Sequence, residues 1–277
     1  MLQQRHRFHS STPSPALEHN PVNSEIWAQI ALTEFEKLVA TSPGFKARSG
    51  QRDMAHCIAQ TLAFADLGEH GDPTQRIAVI QAGTGVGKSA AYAATAIAIA
   101  MERKTRVLIS TATVALQEQL MTKDLPALAA AMDKPFGFAL AKGRGRYVCK
   151  LKLERLVGSM SVSDELFDLD DEPLRPASRY NVVLSQEALE ERRTRLFETM
   201  AALLANGAWE GDRDTLPETP DARDWSVVAA ERHTCTVRHC PRFRDCSYYQ
   251  ARNRLAEANV IVANHDLVLA SLGTKTL

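Results

Sequence analysis

Residues 77–89 read Ile-Ala-Val-Ile-Gln-Ala-Gly-Thr-Gly-Val-Gly-Lys-Ser. An apolar run enters a glycine-rich turn, and helix-forming residues follow over 88–102. The phosphate-loop pattern is G-x-x-x-x-G-K-[ST]. Gly87, Lys88 and Ser89 match it, with Ala82 where the first glycine is usual. Gly83, Gly85 and Gly87, with Thr84 and Val86 between them, let backbone N–H groups turn inward around phosphate oxygens. The helix N-terminus adds partial positive charge. In this reading Lys88 contacts the β and γ phosphates and Ser89 holds Mg²⁺. The loop implies a bound nucleotide and leaves its work unnamed. It argues against a protein kinase, whose Gly-rich loop lacks GK[ST].

Outward from this loop the pattern alternates. IAVIQA (77–82), RVLIST (106–111) and FGFALAK (136–142) read as strands. A helix starts at Asn23 or Ser24, with Trp27, Ile30, Ala31, Phe35 and Leu38 on one face, and ends at Pro43 and Gly44. A second covers roughly 51–67. LQEQLMTKDLPALAAAM reads as helical material broken at Pro126. Such alternation favours a parallel sheet covered by helices.

The chain has 277 residues, and 33 Lys+Arg balance 33 Asp+Glu. Hydrophobic residues at 45% and charged residues at 24% exclude a disordered or collagen-like chain. Neutral balance argues against attachment to nucleic acid by bulk charge. Residues 1–22 show no periodicity and are expected to be a mobile tail. No secretory signal and no apolar run of about 18 residues is found, so a cytoplasmic chain with no membrane partner is expected.

The character changes after residue 141. Residues 142–160 are basic and residues 164–172 acidic. A clear amphipathic helix covers 185–205, residues 206–224 read as loop, and a helix at about 247–258 precedes an apolar run, 259–272. The apolar pattern over 150–234 is sparse, which predicts a segment too small to build a large core by itself.

Cys235, Cys240 and Cys246 form C-x4-C-x5-C, with Cys149 far upstream. Four thiolates can hold a [4Fe–4S] cluster or a tetrahedral Zn²⁺. The one-plus-three arrangement favours iron–sulfur, while His233 and His239 keep zinc open. A cluster would pin the two ends of the sparse segment. Cys57, alone on the second helix, is expected to be a buried small hydrophobe. Basic residues flank both cysteine arms: Arg144, Arg146, Lys150 and Lys152 on one, and Arg238, Arg242, Arg244, Arg252 and Arg254 on the other. Tyr147, Phe243, Tyr248 and Tyr249 interleave them. Cations along a backbone track with aromatic platforms for bases make a single-strand channel.

Five spaced motifs carry a resemblance: Arg48-Ser-Gly-Gln51, AGTGVGKS (82–89), STATVALQEQL (110–120), KGRGRYVC (142–149), and C-x4-C-x5-C followed by AEANVIVANHDLV (256–268). In this order they resemble the DinG-like, XPD-related branch of superfamily 2 iron–sulfur DNA helicases, from about residue 24 to about residue 270. The resemblance implies an ATP-dependent 5′→3′ DNA helicase of repair or replication type. It implies that Arg48 and Gln51 recognise adenine, and that Gly83, Thr84, Gly85, Val86, Gly87, Lys88 and Ser89 bind ATP and Mg²⁺. It further implies that Cys149, Cys235, Cys240 and Cys246 ligate [4Fe–4S], and that Thr111, Thr113 and Gln117 lie near the DNA backbone, with Arg144, Arg146 and Tyr147 also on DNA. The implied partners are single-stranded or forked DNA and R-loop-type structures, met by a monomer.

The expected fold is α/β: a P-loop (RecA-like) parallel sheet with helices on both faces, interrupted by a mainly helical iron–sulfur insert. Residues 23–141 form the first part of the motor, 142–250 the insert, and 251–277 the return into the motor. Helicases of this kind need Asp-Glu-x-His, which orients Mg²⁺ and activates water. The only Asp-Glu pairs, Asp164-Glu165 and Asp171-Glu172, follow no apolar strand. The motor is therefore expected to be incomplete and inactive alone. An accessory DNA-binding chain and a zinc-bound P-loop ATPase are the alternatives. His265 is expected to be structural, and the Thr-Ala-Thr of residues 111–113 serves equally well as a strand end and helix cap.

Overall fold

The structure is a computed structural model that describes residues 21–41, 48–65, 77–83, 87–166 and 186–274. The tail expected over 1–22 lies outside the described residues up to residue 20, and Pro21 and Val22 already belong to a helix. Also outside are the phosphate-loop residues Thr84, Gly85 and Val86, and the acidic block from residue 167 onward.

The chain divides into two compact units. The first holds residues up to Val107 and Thr122–Phe136. Its helices are α1 (Pro21–Thr41), α2 (Ser49–Ala63) and α3 (Lys88–Arg103), joined by α5 (Leu125–Ala131). Helix α3 is alanine-rich and buried along Ala91, Ala93, Ala94, Ile97 and Ala98. Small side chains there let α1 and α2 pack close against it. Phe35 and Leu38 of α1 are buried, on the face read from its spacing, and so are Met54, Ala55 and Ala59 of α2. Arg103 lies 4.9 Å over the Trp27 ring and donates to the carbonyls of Leu62 (3.0 Å) and Ala65 (2.8 Å), which closes the end of α2.

Two expectations fail in this unit. Residues 77–83 form no strand, and Val79 is 93% exposed. A strand exists only where a neighbour takes its backbone groups, and no described residue does so here. Cys57 is exposed rather than buried. It lies off the face of α2 that carries Met54, Ala55 and Ala59.

The second unit holds Leu108–Met121 and the chain from Gly137 onward. Its sheet has three strands in the order β1-β3-β2: β1 (Val107–Thr111), β2 (Phe138–Leu140) and β3 (Val260–Asn264). Strands β2 and β3 are parallel, with Phe138 opposite Val260 and Leu140 opposite Val262. Ser110 near the end of β1 meets His265 just past the end of β3, so these strands end on the same side. Helices α4 (Val114–Gln119), α9 (Ser247–Glu257) and α10 (His265–Thr274) join the sheet, and Leu255, Ala141 and Ala263 fill its core. Pro126 does not break the helical stretch. The α-helix gives way to a π turn at Leu120–Asp124, and Pro126 sits in the first turn of α5, where a missing N–H costs little.

Residues 142–250 fall within this unit and contain α6 (Lys150–Leu166), α7 (Gln186–Ala205) and α8 (Ala222–Val228). The segment builds more of a core than its sparse pattern predicts. Val148, Leu153, Phe197, Met200, Trp209, Leu216, Trp225, Val228 and Ala229 are buried together. Trp209 and Leu216 come from the stretch read as loop, and α8 begins within it. Each indole finds an acceptor: Trp209 donates to the Asp212 carbonyl (2.7 Å) and Trp225 to the Gly145 carbonyl (2.6 Å). Among the described residues, no helix is long and apolar enough to cross a membrane.

Two outcomes follow from this packing. Gly211 has φ +92°, and a Cβ there would meet the Ser247 hydroxyl and lie 2.9 Å from Val148 Cγ1. Gly211→Ala should destabilise the fold by about 2–4 kcal/mol in denaturant unfolding, since neither obstacle is free to leave. Tyr147 is 5% exposed, and burial, with Asp212 adding to it, pushes its phenol up from 10.0 to about 12. Its contribution to stability is thus present below pH 10 and lost as pH rises through 12. Unfolding midpoints should fall across that window, and fall less in Tyr147→Phe.

Candidate functional site

Gly87 takes a left-handed backbone (φ +82°) that turns the loop into α3. Lys88 is the first residue of that helix, and its ammonium donates to the carbonyls of Ala82 (2.8 Å) and Gly83 (2.9 Å). Ser89 hydrogen-bonds the Tyr92 hydroxyl, whose ionisation burial pushes up. Gln51 is buried, and its side-chain amide donates to the Gly87 carbonyl at 2.8 Å. Arg48 precedes α2, and its carbonyl accepts the N–H groups of Gln51 (3.0 Å) and Arg52 (3.2 Å). The structure thus brings Gln51, Gly87, Lys88 and the Gly83 carbonyl together. Thr84, Gly85 and Val86 are not described.

Thr113 caps α4 by accepting from the Leu116 N–H (3.3 Å), and the Thr111 hydroxyl donates to the Thr113 carbonyl (3.1 Å). Thr111 and Gln117 are buried. These three side chains shape the turn after β1, where Thr113 is exposed, as are Ser110 and His265, 2.6 Å apart. Asn264 accepts from the Leu267 N–H (2.8 Å) and so caps α10. The Ser110–His265 pairing had no sequence signal, since 155 positions separate the two residues.

The first cysteine arm is tied through its backbone to Gly211 and to the end of α8. Val148 N–H donates to the Gly211 carbonyl (2.9 Å), Cys149 N–H to Val228 (2.7 Å) and Ala230 N–H to Tyr147 (2.8 Å). Cys149, Cys235, Cys240 and Cys246 are free thiols, each half-buried. Burial pushes the Cys246 thiol up, the N–H groups of Tyr249 and Tyr248 oppose this, and Cys149 and Cys235 lie close enough to add to it. The donor chemistry therefore suits a thiolate-held metal. No three His, Cys, Asp or Glu side chains stand together at metal-holding separation among the described residues, so a cluster would have to draw these thiols inward.

Charge near these arms is more balanced than the basic runs suggest. Lys142 pairs with Asp212 (2.5 Å) and Asp214 (2.9 Å), Arg146 with Asp214 (3.2 Å), Lys150 with Asp245 (3.6 Å) and Lys152 with Glu231 (2.8 Å). Arg242 pairs with Glu154, and Arg254 with Glu210 (3.0 Å). Arg144 lies 4.1 Å over the Tyr248 ring. Tyr147, expected on DNA, is buried. Arg232, Arg238 and Arg244 are exposed and carry no ion pair among the described residues. The sequence reading passed over Arg232, although it stands three positions before Cys235 in the same basic run.

No family model matches the chain. Curated relatives do. The chain is 37% identical over 238 residues to a Photobacterium profundum protein named ATP-dependent DNA helicase DinG, which covers 86% of this chain and 31% of the relative. Proteins of the same name from Salmonella typhimurium and Escherichia coli K12 are 35% identical over 250 residues, or 90% of this chain and 32% of theirs. The chain spans about a third of the length of the curated relatives it matches. Over about nine-tenths of its own length, the chain is a homologue of part of the ATP-dependent DNA helicases named DinG.

Proposed function

We propose that this chain is the nucleotide-binding, N-terminal portion of a DinG-type, ATP-dependent 5′→3′ DNA helicase. The observation that carries this reading is Lys88 at the first position of α3, its ammonium turned back onto the loop carbonyls. A triphosphate entering there exchanges those two carbonyls for phosphate oxygens, a stronger charge-assisted bond. Ser89, which hydrogen-bonds Tyr92, would hold Mg²⁺, and Arg48 would serve the nucleotide's base. Similarity over nine-tenths of the chain to proteins named as ATP-dependent DNA helicases supports the same reading.

In this proposal Cys149, Cys235, Cys240 and Cys246 hold [4Fe–4S], which supplies a covalent tie between the arms when bound. The chain's own residues prepare that tie by hydrogen-bonding Cys149 N–H to Val228 and packing Ser247, next to Cys246, against Gly211. Single-stranded DNA runs along Arg232, Arg238 and Arg244, the cations that retain their charge for a partner. The 277 residues contain no Asp-Glu-x-His, so hydrolysis and unwinding need groups that this chain does not contribute.

Titration of the 277-residue protein tests these assignments. Mg·ATP should bind to the wild type and at least about tenfold more weakly to Lys88→Ala, with no DNA-stimulated turnover in either. Turnover that Lys88→Ala abolishes would refute the incomplete-motor assignment. Equal binding by the two proteins would refute the nucleotide site. Single-stranded DNA affinity should fall with salt at a log–log slope of about −2, as for three neutralised phosphates. A flat response removes the arginine track. Anaerobically purified protein should be brown, with absorbance at about 400 nm and acid-labile sulfide, and Cys246→Ala should lose both. A colourless protein with one Zn²⁺ replaces the cluster by zinc.

A further inference from the structure

Resemblance assigns Gln51 to adenine, and its surroundings point elsewhere. The side chain is 1% exposed and offers almost no edge to a base. Its amide instead donates to the Gly87 carbonyl at 2.8 Å. That carbonyl also takes the first helical bond of α3, from Ala91 N–H, at a long 3.4 Å. Gln51 is therefore the closer of the two donors at the point where the loop becomes helix.

The Gly87 carbonyl belongs to the peptide plane that carries the Lys88 N–H. In a trans peptide the two groups point in opposite directions, so fixing one aims the other. Lys88 N–H is among the donors left without an intrahelical partner at the start of α3. Such donors are the ones that bind phosphate oxygens. We propose that Gln51 is a positioning residue of the phosphate loop, holding the Gly87 carbonyl so that the Lys88 N–H is aimed at the phosphates before they arrive. The role rests on the nucleotide-binding reading above. It predicts that Gln51 acts on the phosphates whatever base is attached.

The test uses three probes on the 277-residue protein: Mg·ATP, Mg·GTP and inorganic tripolyphosphate. Gln51→Met keeps the side-chain length and removes the donor, leaving the half-buried Gly87 carbonyl with only its long bond from Ala91 N–H. It should weaken all three probes by a similar factor, about tenfold, with the ATP-to-GTP ratio unchanged. Unchanged tripolyphosphate binding with a collapsed ATP-to-GTP ratio overturns the proposal and restores a base reader. Binding that falls in Lys88→Ala but not in Gln51→Met overturns the role of Gln51 alone. A wild type that binds none of the probes overturns the nucleotide reading and this role with it. A second measurement needs no variant. In ¹⁵N-labelled wild type, the Gln51 side-chain amide resonance should move on adding tripolyphosphate. A resonance that responds to adenosine and not to tripolyphosphate overturns the proposal.

Discussion

Three backbone hydrogen bonds hold the cysteine region together: Val148 to Gly211, Cys149 to Val228, and Ala230 back to Tyr147. They cross three stretches of chain at one place, and almost everything else there follows from the crossing. Gly211 must be glycine because its backbone is left-handed and its Cα abuts Val148 and Ser247. Ser247 follows Cys246, and Cys149 follows Val148, so the crossing brings the first and last cysteines into each other's field. Val148, Val228 and Ala229 also enter the core that Trp209, Trp225 and Phe197 complete. Burying side chains of this size stabilises by roughly 1.5–3 kcal/mol each. Packing and hydrogen bonds thus set where Cys149 and Cys246 stand, without closing a metal-holding group among the described residues.

The same crossing explains the charge pattern. A run of cations read along the sequence suggests an open electropositive surface. In the folded chain Lys142 and Arg146 meet Asp212 and Asp214, and Lys152 meets Glu231, partners about 70–80 positions away. Pairs such as Lys142 with Asp212, both largely shielded, keep much of their attraction, whereas the exposed Arg146–Asp214 pair is worth little. Zero net charge is therefore a local balance as well as a total. Among the described residues, Arg232, Arg238 and Arg244, around and between Cys235 and Cys246, are exposed and carry no ion pair.

Periodicity made most of the fold legible. The helix expected at 88–102 spans Lys88–Arg103, the one at 185–205 spans Gln186–Ala205, and the strand at 106–111 spans Val107–Thr111. The two helices owe their form to their own residues, and β1 found a partner in β3. What was not legible depends on remote partners. IAVIQA has the composition of a strand, but pairing requires a neighbour that composition cannot name. Trp209 and Leu216 sit among Gly, Pro and Asp, so their local pattern reads as loop, and only the fold reveals them as core. The site divides in the same way. Gly87-Lys88-Ser89 was visible because the motif is contiguous. The contact of Gln51 with Gly87 was not, since 36 positions separate them and neither residue signals the other.

The phosphate loop then presents two constraints. Lys88 is drawn toward the carbonyls of Ala82 and Gly83, which satisfies its charge and closes the loop on itself. Gln51, buried at the start of α2, holds the Gly87 carbonyl. In the proposed nucleotide reading, a phosphate would compete only with the first of these. It can take the ammonium from two neutral carbonyls, because a charged acceptor forms the stronger bond. It need not rebuild the turn, because the left-handed Gly87 and its amide partner already define it. The movable part of the site is thus confined to the lysine side chain and the loop it closes, and the fixed part to the buried glutamine and the helix it starts. Under the proposed role of Gln51, such a division would lower the ordering cost of binding, because the helix N-terminus is aimed before the ligand arrives.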